Sequence, residues 1–115
     1  MTNQEAFTIS ATHLLTQKKV ALEMYNAPFS TCQYHTVDGL KCAIGVLIPD
    51  TLYTASMEGL HISDVLKKFQ LPELQQVDIT LLRTLQRIHD SYDVGQWEQK
   101  LETTATYFNL TMPVV

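Results

Sequence analysis

At 115 residues, with 45% apolar and 17% charged side chains, the chain reads as one soluble globular domain, long enough to bury a core without disulfides or a structural metal. A formal net charge of −4 with no block of like charge argues against duplex nucleic acid as a main ligand, because that binding runs on phosphate neutralisation by Lys and Arg. The opening Met1 to Phe7 is polar and acidic at Glu5, unlike a signal peptide, and the longest apolar run, Ala43 to Ile48, is far short of the ~20 residues that span a bilayer. A cytoplasmic protein with no membrane partner is the expectation, and its two cysteines are expected as thiols.

In chain order, Phe7, Ala11, Leu14, Leu15, Ala21 and Leu22 follow the spacing of one buried helix face, which predicts a helix over 4–24. Thr2 or Asn3 is positioned to cap it, and Asn26-Ala27-Pro28 to stop it. Residues 31–36 lack helical period and are rich in β-branched and aromatic types. Asp38-Gly39 follows, the signature of a primed turn, so 32–35 and 40–43 are expected to pair as a short β-hairpin. Cys32 and Cys42 could meet across it as a disulfide. Ala43 to Ile48 is apolar throughout and could continue the strand, but Pro49 and the spacing of Leu52 and Tyr53 favour a short buried helix, in which Gly45 marks close approach of another backbone. Ser63 is expected to cap the next helix, which Leu71-Pro72 breaks. Asp78 opens a helix over 79–92. Asp93 and Gln96 form a capping box for a last helix over 94–108, with Asn109 at its C-cap. The fold class expected is α+β, predominantly helical, with about four main helices and one β-hairpin.

Residues 32–59 hold both cysteines and three of the four glycines, more than packing requires, and a site is expected there. Zinc through Cys32, His35 and Cys42, with His61 or His89, lacks the second close ligand pair that structural zinc uses, so no metal and no cofactor are expected. Cys42 ahead of a helix start, with His61 or His89 oriented by Asp90, would make a coherent nucleophile and base. The competing reading makes Cys42 a buried packing group and His89 a core-edge histidine bonded to backbone. His89-Asp90 also matches the metal-binding pair of phosphohydrolases, which would need further ligands that only His61 and Asp93 could supply. Tyr34, Tyr53 and Glu58, near exposed glycine backbone, suit recognition of a protein or a small polar ligand. The binding residues expected are Tyr34, Tyr53, Glu58, His35 and Cys42. Arg83, Arg87, Lys67 and Lys68 read as a solvated basic face.

Cys32-x-Tyr34, then Gly39-x-x-Cys42-Ala43-x-Gly45-x-Leu47-Ile48, Tyr53, Glu58-Gly59, Leu85-x-x-Ile88-His89-Asp90 and Trp97 together resemble a pattern in short uncharacterised proteins of phages, prophages and bacteria. The resemblance spans about residues 5 to 110, its specific part being 32–59. Relatives often carry Arg where this chain has His35, which counts against a role needing that imidazole. The resemblance implies a phage or mobile-element protein and no particular activity. The function expected is non-enzymatic binding of a host protein, such as inhibition of a defence component. The alternatives are a small-molecule or nucleotide-signal sponge and a Cys42-dependent enzyme.

Overall fold

The computed structural model describes residues 1–23 and 31–115. Five helices carry the fold: α1 (Asn3–Gln17), α2 (Ile62–Lys68), α3 (Pro72–Gln75), α4 (Ile79–Ser91) and α5 (Val94–Phe108). α4 packs along α5, and α1 lies against both and against the first of two 3-10 turns, Gly45–Leu47 and Ala55–Met57. Phe7, Leu14, Ile44, Leu82, Leu85, Trp97 and Leu101 are fully buried in one connected cluster. The Trp97 indole satisfies its one donor at the Tyr92 carbonyl, 3.0 Å away. The Cα radius of gyration is 13.4 Å, close to the ~13 Å of a compact chain of this length.

The expected α+β class with a β-hairpin is overturned. Among the described residues, strand is confined to β1 (Leu22–Glu23) and β2 (Thr31–Cys32), which pair antiparallel over two residues each. Where the hairpin was expected, the only bridge is His35 with Lys41. The chain does reverse there, with Gly39 at φ 90° and the Thr36 amide donating to the Leu40 carbonyl at 2.8 Å. No ladder grows from the turn because side chains take the amides it would need. The Glu58 carboxylate takes the Tyr34 amide and Thr36 Oγ1 the Leu40 amide, while the outward-facing His35 and Lys41 amides donate to Glu58 and Gln17 Oε1, and the Cys42 amide still reaches the Tyr34 carbonyl at 3.2 Å.

The first helix also stops early. Lys18 turns left-handed at φ 51°, and Gln17 Nε2 bonds the Lys19 and Lys41 carbonyls at 2.7 and 3.0 Å, drawing the chain off the helix axis. The expected stop at Asn26-Ala27-Pro28 lies outside the described residues. At its start, Thr2 and Glu5 form the full capping box, and the Thr2 amide and hydroxyl hold the Glu5 carboxyl below the usual carboxylate range.

His61, rather than Ser63, caps α2. The proline expected to break that helix also starts the one-turn α3, where its missing N–H costs nothing. Asp78 accepts from the Thr80 amide at 2.8 Å ahead of α4. Asp93 and Gln96 make the expected box ahead of α5, and Asn109 ends it at φ 57°. No helix among the described residues is long and apolar enough to cross a membrane.

Candidate functional site

The stretch 32–60 is shaped by one carboxylate. Glu58 Oε1 accepts from the Tyr34 amide at 2.8 Å, Oε2 accepts from the His35 amide at 3.1 Å, and Oε2 also receives the Tyr53 hydroxyl. The His35 ring stacks on Tyr53 with centroids 4.1 Å apart and donates Nε2–H to the Gly45 carbonyl at 2.7 Å. Lys41 reaches Asp50 at 3.1 Å on the outer side. Four of the five expected binding residues therefore do converge, but on one another. Desolvation, then the Glu58 carboxylate, pushes the Tyr53 hydroxyl well above its ordinary range. Tyr34 is buried, its hydroxyl donates to the Leu60 carbonyl at 2.7 Å, and burial with nearby anions raises it likewise. The cluster is a clasp that shapes the loop.

Cys42, the fifth, lies fully buried beneath it. Its sulfur accepts from the Gly45 amide at 3.2 Å and lies 3.4 Å from Gln86 Oε1. Burial pushes the thiol up to about 12, against the smaller opposing pull of the Gly45 and Ile44 amides. A nucleophile needs the thiolate, and here the environment withholds it.

His89 is fully buried and both its nitrogens are committed. Nε2 accepts from the Ala21 amide at 2.9 Å, which places the ring proton on Nδ1, and Nδ1–H donates to Asp90 Oδ1 at 2.6 Å. The ring also stacks on Trp97 at 5.6 Å. The expectation of a core histidine bonded to backbone holds, and no lone pair remains for a base. Asp93 serves as a cap, so it is not available to the metal pair considered from sequence.

Cys32, His89 and Asp90 bring their ligand-type atoms within 4.8 Å of one another. Metal at His89 Nδ1 would require the proton to move to Nε2, straight against the Ala21 N–H, so the donor set does not fit a cation through this imidazole. Burial, then the Asp90 charge, pushes the Cys32 thiol up to about 12, and both cysteines are free thiols.

What sequence reasoning missed is the cleft beside this cluster. It measures about 500 Å³ and is lined by Cys32, Tyr34, Leu60, His61, Gln86 and Asp90, with Gly59 and Ile62 completing the wall. Gln86 and Asp90 lie one turn apart on α4, and Gln86 Nε2 donates to Asp90 Oδ2 at 2.9 Å. Their i, i+4 spacing on a helix flank was the only sequence signal that could have paired them. Of the expected binding residues, Tyr34 alone lines the cleft; His35, Cys42, Tyr53 and Glu58 do not. Compared with known families, curated proteins and solved structures, the chain finds no match.

Proposed function

We propose that this is a small, cytoplasmic, non-enzymatic binding protein of phage or mobile-element type that holds a small polar molecule in the cleft between α4 and the 59–62 segment. The observation that carries this reading is the cleft itself, whose volume of about 500 Å³ falls in the ~300–1,000 Å³ range of small-molecule sites and whose wall mixes apolar and polar groups. The enzymatic alternative is weakened, since Cys42 is fully buried with its thiol pushed up to about 12 by burial and His89 has both nitrogens committed. The pattern within 32–59 that resembles short phage proteins supports the mobile-element reading, and a binder of this kind would act as a sponge for its ligand.

A second reading, capture of a host protein, is favoured by two apolar side chains on the same stretch: Val37, 77% exposed at the turn tip, and Leu52, 44% exposed. Protein isolated from its host and then denatured distinguishes the two. A stoichiometric small molecule in the released fraction, lost on Leu60→Trp, supports the cleft. A one-to-one host protein displaced by Val37→Asp, with no released molecule, supports the second reading instead.

A further inference from the structure

We propose that the cleft takes a monovalent organic cation, an amine or amidine on a compact apolar body, with the Asp90 carboxylate as its counter-ion. This rests on the cleft being a small-molecule site and names the class of molecule it selects.

Asp90 faces the cleft with its side chain 32% exposed. Each oxygen is held by a donor, His89 Nδ1 on Oδ1 and Gln86 Nε2 on Oδ2. Both donors are uncharged: Gln86 is an amide, and His89 carries one ring proton because its Nε2 accepts the Ala21 N–H. The network therefore fixes the carboxylate in place without neutralising it. Among the described residues no Lys or Arg pairs with Asp90, and residues 24–30 contain no basic side chain. Arg87, its neighbour on α4, lines a different groove with Thr80, Thr84 and Tyr107.

The surroundings add negative field and apolar wall. Desolvation raises the Tyr34 hydroxyl most, and the carboxylates Glu58, Asp90 and Asp64 add to it in the same direction, which places anions around this wall of the cleft. Cys32 stays a neutral thiol beside the carboxylate. Tyr34 and Ile62 are buried and Leu60 half-buried, which gives the body of a ligand an apolar bed. An anchored, uncompensated carboxylate over an apolar bed repels anions and leaves neutral ligands without an ionic partner.

Benzamidine, benzamide and benzoate share one shape and differ in charge, and their titration into the full-length protein, followed by backbone amide NMR, tests the assignment. Benzamidine should give saturable shifts at Leu60, Ile62, Gln86 and Asp90, binding at least about tenfold more tightly than benzamide. Asp90→Asn, checked for fold by circular dichroism, should bring benzamidine down to the benzamide level. Leu60→Trp, which keeps the charge and fills the cleft, should abolish the shifts. Equal binding of benzamidine and benzamide, or benzamidine binding unchanged in folded Asp90→Asn, overturns the cation assignment and leaves the cleft a site for other ligands. No saturable shift at these residues with any of the three overturns the assignment and the cleft reading together.

Discussion

Gly45 sits so close under Tyr34 that a β-carbon at position 45 would lie 1.8 Å from the Tyr34 carbonyl oxygen and 2.6 Å from its carbon. Those neighbours are backbone, and the Glu58 clasp holds that backbone by its amide, so it cannot give way cheaply. Gly45→Ala is expected to destabilise by about 1–3 kcal/mol or more, roughly a 5–20 °C fall in melting temperature. Gly95 near the start of α5 is the control, because a β-carbon there meets nothing within 4 Å. Gly95→Ala should raise stability by about 0.4–1 kcal/mol. Thermal melts showing the same sign for both variants would remove the close approach as an explanation for the glycine.

Glu58 is the second test of the clasp. Glu58→Ala strands the Tyr34 and His35 amides, each of which now bonds a charged acceptor, and should cost about 2–4 kcal/mol. Tyr53→Phe removes only one of the three donors and leaves the stack on His35, so about 1 kcal/mol is expected. Urea unfolding midpoints check the order. If Glu58→Ala costs no more than Tyr53→Phe, the carboxylate does not organise the loop. Loss of binding in Glu58→Ala therefore has to be read beside its stability.

The residues that were legible in the sequence carry their own local instructions. Asp78, Asp93 with Gln96, and Asn109 fixed the ends of α4 and α5 because a cap is a contact within a few residues. The Gly45 close approach was legible from a glycine inside an apolar run. The hairpin failed because the Tyr34 amide it needs is taken by Glu58, 24 residues away, and no periodicity reports such a bond. The end of α1 failed similarly: Lys18 bears no sequence mark of a left-handed stop, and Ala21 and Leu22 continue the apolar spacing by coincidence. The cleft was illegible because its wall draws on β2, the 59–62 segment and α4 together.

The tautomer of His89 bears on metal. With Nε2 accepting from Ala21, zinc at Nδ1 would set two N–H donors against each other at a cost of about 1–3 kcal/mol before any ligand geometry is satisfied. Added zinc should leave the melting temperature unchanged, and so should a chelator applied to freshly purified protein. One zinc per chain by elemental analysis, lost on Cys32→Ser, would show that the His89 hydrogen bonds rearrange to admit it.

Both thiols bear on alkaline stability. Cys42 and Cys32 move from an ordinary 9.0 up to about 12 on folding, burial being the main cause in each. Between those values the folded chain keeps thiol protons that the unfolded chain releases, so unfolding gains and stability falls as pH rises. The contribution is whole below about pH 9 and is lost as pH climbs toward about 12. Tyr34 and Tyr53, also raised, add a loss of the same sign that begins near 10. Cys42 is fully buried and should dominate, whereas solvent screening cuts the share of half-buried Cys32. Under reducing conditions the melting temperature should be flat from about pH 7 to 8.5 as far as the thiols are concerned, then decline. Cys42→Ala should be less stable at neutral pH through its small cavity, yet decline less steeply between about pH 9 and 10, where the tyrosines contribute little. Parallel slopes for wild type and variant over that interval would mean that Cys42 ionises as readily folded as unfolded, and the nucleophile reading of that thiol would regain its footing.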